Sequence, residues 1–443
     1  MFVKNPILEI VENQKSGIKK GIYSACTASD YVIEAVLERA LQVNEIALIE
    51  ATANQVNQFG GYTGMQPKDY VKFIHSIAKK VGFPKERIIL GGDHLGPLTW
   101  VSENAAEAME KSKTLIREYV LAGFTKIHID TSMKVLDDDK DLPLDTAIMA
   151  ERGAMLCEEA EKAYKELLEI CPSSPQLVYV VGSEVPIPGG AQEEEGIQVT
   201  KVYDFEATVE TFKDAFQNYS LDEAWERVVA VVVQPGVEFG DESVHEYNRE
   251  AAKDLTNALN KYKNLVFEGH STDYQTAECL KKMVEDGIAI LKVGPALTYA
   301  LREGFFALSH MEKELFKYDA EVELSNFIEV LDLAMIRNPS NWKKHYHGTG
   351  NKIKYARKYS YSDRARYYFP TKEVAEAQQI LIKNMKSKEI PLTLINQFMP
   401  IQYNKIRRGI LKNEPEALIK DWVVNCIDEY LYAAIPEIKS QIV

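Results

Sequence analysis

The chain has 443 residues, 46% of them hydrophobic and 27% charged, enough apolar material for one large α/β domain plus an extension and too much for a disordered chain. A formal net charge of −14 argues against a nucleic-acid partner, because binding a polyanion needs a basic face. The five cysteines are scattered and never spaced C-x-x-C, no apolar run approaches a membrane span of roughly 18 residues, and no signal-peptide core opens the chain, so the expectation is a cytoplasmic protein with free thiols and no membrane contact. Short β-branched runs then alternate with amphipathic segments. Strands are predicted at 21–26, 46–51, 87–91, 126–129, 177–182, 228–233, 265–268 and 288–293, and helices at 31–41, 67–81, 107–122, 147–169 and 273–286. The run Val-Val-Ala-Val-Val-Val from Val228 is apolar on both faces, as parallel strands covered by helices are.

Eight βα units over about 300 residues fit a closed (β/α)8 TIM barrel better than an open doubly wound sheet of about five to seven strands. No G-x-G-x-x-G follows the first strand, so a dinucleotide site has no support. From about Glu312 the alternation stops, and 324–336, 373–385 and 415–434 read as helices punctuated by Pro339, Pro370, Pro391 and Pro400. The expected organisation is a barrel over residues 1–315 that carries the active site, with a helical C-terminal extension, 316–443, packed on it.

A barrel enzyme builds its site from the C-terminal ends of its strands. Those ends carry Glu50 with Asn54, Asn57 and Gln58, then Asp93 and His94, Asp130, Glu184, Gln234, His270 and Lys292. A lone strand-end aspartate serves equally well as a helix cap, and this holds for Asp130. Asp93 and His94 are more specific, because a strand turning at Gly91-Gly92 can present a carboxylate and an imidazole to one mouth. His270, between Gly269 and Ser271, is the second imidazole able to reach it. Metal binding by His94 and His270 is the expectation, against the alternative of two hydrogen-bonded structural histidines. His128 shares a strand face with Asp130 and reads as a supporting contact. His345 and His347 form only a weak local pattern.

The motifs at 48–65 (LIEATANQVNQFGGYTGM), 88–97 (IILGGDHLGP), 232–239 (VVQPGVEF), 269–276 (GHSTDYQT), 291–298 (LKVGPALT) and 361–368 (YSDRARYY) resemble the accessory, Z-type subunit of D-tagatose-1,6-bisphosphate aldolase along essentially the whole chain. The barrel is more distantly similar to class II, zinc-dependent aldolases. The resemblance implies ketohexose phosphates as ligands, a divalent metal (zinc first, with manganese, cobalt, nickel or magnesium as alternatives) and a class II aldolase catalytic chain as a candidate partner; a homo-oligomer is a separate expectation. It carries the catalytic acid/base onto Asp93 and metal ligation onto His94 and His270. Class II relatives have a third histidine after the sixth strand, where this chain has Gln234; Gln234 or Glu184 would complete the ligand set. Z-type subunits are described as stabilising and non-catalytic, yet related chains resemble ketohexose and ketohexose-phosphate 4-epimerases.

The resulting expectation is a metal-dependent enzyme acting at C3–C4 or C4 of fructose and tagatose phosphates, as a 4-epimerase or an aldolase component; the alternative is a non-catalytic stabilising subunit. Asp93 would be the base at the C4 oxygen, and Asp130, Glu184 or Asp273 the second acid/base. Phosphate would lie at Ser271, Thr272, Asp273 and Gly294, near the start of the last barrel helix, with Lys292, Asn54 and Gln58 nearby. For Lys292 a strand-end ion pair with a neighbouring carboxylate stands equal to the phosphate role, and a Schiff base is the minor option.

Overall fold

Valine-rich runs without polar alternation can satisfy both faces only if each is covered, and a parallel sheet closed on itself with helices outside does this. The computed structural model, which describes residues 3–185 and 197–437, has that architecture. Its strands are β1 (Ile22–Cys26), β2 (Ala47–Thr52), β3 (Ile88–Leu95), β4 (Lys126–Ile129), β5 (Val178–Val181), β6 (Val228–Val233), β9 (Val266–Gly269) and β10 (Ile288–Val293), closed in the order β1-β10-β9-β6-β5-β4-β3-β2. Two further short strands, β7 (Glu238–Phe239) and β8 (Val244–His245), form an antiparallel ribbon in the connection after β6. Among the described residues no helix is long and apolar enough to cross a membrane.

Helices cover the barrel where amphipathic spacing predicts them, and local chemistry sets their ends. The helix Pro67–Val81 opens on a capping box of Gln66 and Asp69 and closes at Gly82, whose φ of 77° only glycine adopts at little cost. The predicted helix 273–286 starts later, at Ala277. Ser271 and Tyr274 have φ of 53° and 64°, which no right-handed helix accommodates, and the Thr276 side chain accepts the Cys279 N–H as the cap. Asp273 is thereby left in a turn at the barrel mouth.

The barrel interior is layered. At its lower end Ile22, Leu48, Ile89, Val178, Val266 and Ile290 pack together, plugged from below by Ile7, Ile10 and Val11 of the helix Pro6–Lys15. The helix Pro415–Ala434 packs between the helices Asp30–Gln42 and Ala277–Glu285, the outer position that the eighth barrel helix would otherwise fill. Its last carbonyl, Ala434 O, accepts the Gly21 N–H at the entry to β1, and Tyr430 Oη donates to Thr272 O at 2.9 Å. The C-terminal helix therefore belongs to the barrel's own outer layer.

Candidate active site

Every second side chain of a barrel strand faces the interior. Lys126 Nζ lies 2.7 Å from Glu50 Oε1 and 2.7 Å from Glu268 Oε2, and all three side chains are fully buried. Gly91 stands between Glu50 and Lys126 in the sheet register, and a Cβ there would come within 2.5 Å of the Glu50 side chain. Its missing side chain lets the ion pair close across β3. Lys292 Nζ bonds to Glu50 and lies 2.8 Å from Asp93 Oδ1. Burial works against the charged form of Lys292, but Asp93, Glu50 and Glu268 hold its pKa well above the ordinary lysine value. Two lysines thus face three carboxylates, Glu50, Asp93 and Glu268, and a fourth, Asp130, is met by His94.

Above this layer stand three histidines. Neighbours on a regular strand face opposite ways, but β3 slips register between Gly92 and Leu95 and His94 adopts a left-handed φ of 49°, so Asp93 and His94 both reach the pocket. His94 Nδ1 is 2.7 Å from Asp130 Oδ2, His128 Nδ1 is 2.9 Å from Asp93 Oδ1, and His270 Nε2 is 3.1 Å from Glu268 Oε1. Burial would raise all three acids. Instead His94 brings Asp130 to about 2, Lys292 with His94 and His128 holds Asp93 well below the carboxylate range, and Lys126 with Lys292 does the same for Glu268. An ionised carboxylate can only accept, so Asp130 takes the N–H of His94 Nδ1 and Glu268 that of His270 Nε2, whereas His128 Nδ1 lies beside Asp93 Oδ1 and accepts the His94 backbone N–H at 3.2 Å. Burial, reinforced by the His94 charge, lowers His270 to about 4, whereas Asp93 and Asp130 outweigh burial at His94 and raise it.

The rings are 5.0 to 5.2 Å apart, and one ligand atom from each of Asp93, His94, His128 and His270 lies within 4.8 Å of the others. His128 Nε2 is buried with no hydrogen-bond partner, a costly orphan unless something binds it. Imidazoles oriented by carboxylates are the donor set of divalent zinc and its neighbours, so these residues fit such a metal. Cys26, Glu50 and Asp93 also approach one another, but burial keeps Cys26 a thiol and Glu50 is taken by both lysines.

The family model described as D-tagatose-1,6-bisphosphate aldolase subunit GatZ/KbaZ-like matches residues 7–435. The chain belongs to this family. It is 47% identical over 430 residues to the D-tagatose-1,6-bisphosphate aldolase subunit GatZ of Klebsiella pneumoniae, covering 97% of this chain and 99% of that one. The GatZ subunit of Salmonella dublin is 45% identical over 431 residues, again 97% and 99% of the two chains. Among solved structures, a Sinorhizobium meliloti protein described as a probable tagatose 6 phosphate kinase superposes with a TM-score of 0.85 at 41% identity, over 94% of this chain and 100% of that one.

In this GatZ/KbaZ-like chain the other anticipated residues do not all converge. Gln234 is not brought to the histidine cluster, because its Oε1 accepts the N–H groups of Gly236 (2.8 Å) and Val237 (3.0 Å) and closes its own turn. Glu184 is exposed and accepts the Thr200 hydroxyl. Asp130 gives Oδ2 to His94 and Oδ1 to Ser132, so it orients the imidazole. The anticipated phosphate donors are engaged as well: Asp273 Oδ1 accepts Gly294 N (3.0 Å) and Ala296 N (2.8 Å), capping the helix Pro295–Phe316, and the Thr272 hydroxyl donates to Lys292 O at 2.7 Å. Lys292, saturated by carboxylates and held protonated, suits neither phosphate binding nor a Schiff base. Gln58 bonds to Lys111 O, away from the pocket.

The pocket at the mouth is lined by Asn54, Ser271, Asp273 and Gly294 from the anticipated set, above Asp93, His94, His270 and Lys292. Sequence reasoning missed Lys126, His128 and Glu268 as the buried layer beneath the lining residues, and Tyr62, Arg366 and Tyr367 as parts of the rim. The usable signal for that layer was the period-two set Lys126 and His128 on β4 with Asp130 just past it, and Glu268 on β9 with His270 just past it. His345 and His347 join no group of three ligating side chains among the described residues.

Proposed function

We propose that this chain carries its own metal-dependent site for ketohexose phosphates, acting at C4 or the C3–C4 bond of fructose and tagatose phosphates as a 4-epimerase or an aldolase component. The observation that carries the reading is the cluster of three buried imidazoles, each beside an ionised carboxylate, of which His94 and His270 line a pocket opening at the strand ends and His128 lies against them. His94, His128 and His270 would hold the ion, with Asp93 beside them. When bound, a divalent cation supplies Lewis acidity that polarises the ketone and stabilises an enediolate on C2 and C3.

The chain's own groups supply the proton transfers. Asp93 lines the pocket and spends Oδ1 on His128 and Lys292; its Oδ2, met among the described residues only by long 3.9 Å contacts of the Cys26 thiol and His94 Nε2, would take the C4 hydroxyl proton. Epimerisation also needs a proton donor and acceptor on a second face. Asp273 is the best placed of the candidates: it lines the pocket, no hydrogen bond among the described residues engages its Oδ2, and burial raises its pKa to about 6. Its proton affinity lies near a working pH, as a general acid/base requires.

The relatives' names contain the word subunit, which supports the second reading, a stabilising partner of a class II aldolase chain. One experiment separates the two. The purified chain is incubated alone with fructose 6-phosphate and with tagatose 1,6-bisphosphate, with added zinc, manganese, cobalt, nickel or magnesium and then with EDTA. Metal-dependent turnover that EDTA abolishes supports the proposal. No turnover by the metal-loaded chain, together with enhanced activity or lifetime of an added class II aldolase, overturns it in favour of the second reading.

A further inference from the structure

The helix N-terminus that barrels commonly offer to phosphate is capped here by Asp273, so an anionic substrate group must find its positive charge elsewhere. The C-terminal part of the chain brings such a charge to the mouth. The short turn Arg364–Tyr368 places Arg366 and Tyr367 on the pocket rim, opposite Tyr62 and above the histidine floor. Arg366 Nη1 donates to Asp363 O at 2.9 Å, Nη2 donates to Tyr367 Oη at 2.9 Å, and the guanidinium lies 4.5 Å from the centre of the Tyr367 ring. Tyr62 meets the same ring edge-on, with centroids 5.0 Å apart.

These contacts fix the plane of the guanidinium without neutralising it: its partners are carbonyls and a phenol, and among the described residues it forms no ion pair with a carboxylate. The acids that feel its charge, Asp363 and Asp273, are turned to other partners, Asp363 to Thr298 and Arg302, and Asp273 to the N–H groups of Gly294 and Ala296. No hydrogen bond is formed by Nε among the described residues. A half-buried, pre-oriented guanidinium with unused donors, beside two phenols, is a receptor for a tetrahedral oxyanion.

We propose that Arg366 receives the phosphate group of the substrate and, with Tyr62 and Tyr367, selects phosphorylated over free ketohexose. This rests on the sugar-phosphate reading above, but its test does not need turnover. Binding of inorganic phosphate, fructose 6-phosphate and fructose to the full-length, metal-loaded chain is measured by calorimetry for the wild type and for Arg366→Gln. The substitution should weaken phosphate and fructose 6-phosphate by roughly 10- to 100-fold, the scale of hydrogen bonds to charged groups, and leave fructose unchanged. On the wild type, inorganic phosphate should also shield Arg366 from phenylglyoxal, read by mass spectrometry, which keeps the test decisive if the variant does not fold.

Equal phosphate affinity in wild type and variant, no phosphate binding by the wild type, or modification of Arg366 unaffected by phosphate would each overturn the proposal. Phosphate bound through Arg366 by a chain that turns over neither sugar phosphate would leave this inference standing while the enzymatic reading fails. Turnover with an Arg366-independent KM would do the reverse.

Discussion

At the scale of single residues, the site is an argument about which nitrogen keeps its lone pair. The orphaned Nε2 of His128 and the inward-turned amide of Gln234 make opposite predictions for two otherwise comparable variants. His128→Ala should lose nearly all bound metal, whereas Gln234→Ala should retain it; elemental analysis of the two purified proteins checks this, and the reverse pattern would return the third ligand to the end of β6. Asp93→Asn keeps an acceptor for Lys292 and His128 but removes the basic Oδ2, so metal content should persist while turnover falls by roughly 100-fold or more. Retained activity would remove Asp93 from the proton path.

Asp273 yields a prediction in pH. Its pKa is raised by burial from 3.8 to about 6, so the folded state favours the neutral acid. A raised folded pKa contributes stability fully below the unfolded value and loses it as pH climbs through the folded one. Relative to Asp273→Asn, whose amide oxygen can still cap Gly294 and Ala296, the wild type should therefore lose stability between about pH 4 and 7, by up to about 3 kcal/mol at 1.36 kcal/mol per unit. Denaturant midpoints of both proteins at pH 4.5 and 7.5 test it, and parallel pH profiles would refute it.

At the scale of elements, the buried ion pairs inside the barrel depend on a strand with a gap in it. Gly91 leaves the space through which Glu50 on β2 and Lys126 on β4 pair across β3. Gly91→Ala would put a methyl group into the Glu50 side chain and separate a fully buried pair, at roughly 3–5 kcal/mol. Gly123→Ala is the control. That glycine has a φ of 102° and open space around it, so only backbone strain, roughly 1–2 kcal/mol, is expected. Equilibrium unfolding of the two variants should separate these costs; equal losses would mean that the buried ion pair adjusts freely.

At the scale of the whole molecule, the C-terminal helix Pro415–Ala434 is load shared with the barrel. It buries Leu418, Ile419, Val423, Ile427, Tyr430 and Leu431 against the first and seventh barrel helices and other neighbours. At roughly 1.5–3 kcal/mol for each large apolar side chain, removing the helix forfeits about 10 kcal/mol, comparable to the whole stability of a typical domain. A chain ending at residue 413 should thus be insoluble or lack a cooperative melting transition. A soluble, cooperatively melting truncation would show that the barrel closes without it.

What could be read from sequence and what could not divide along these scales. Strand positions followed from short β-branched runs, because a strand buried on both faces leaves a local, contiguous trace; β4 (126–129), β6 (228–233) and β10 (288–293) coincide with their predicted bounds. Asp93, His94 and His270 were legible as strand-end residues, since barrel geometry makes sequence position at a strand end equivalent to place in space. Other features depend on which distant strands become neighbours. Barrel closure brings Glu268 and Lys292 to Glu50 and Lys126, turns His128 from a supporting contact into a member of the histidine cluster, and carries Arg366 from the C-terminal part of the chain to the rim. Periodicity along the chain therefore determined the elements and the facing of their side chains, whereas partners were decided only by tertiary structure, because ion pairing, ligand convergence and desolvation are properties of atoms brought together by the fold and leave no mark at fixed spacing in the chain.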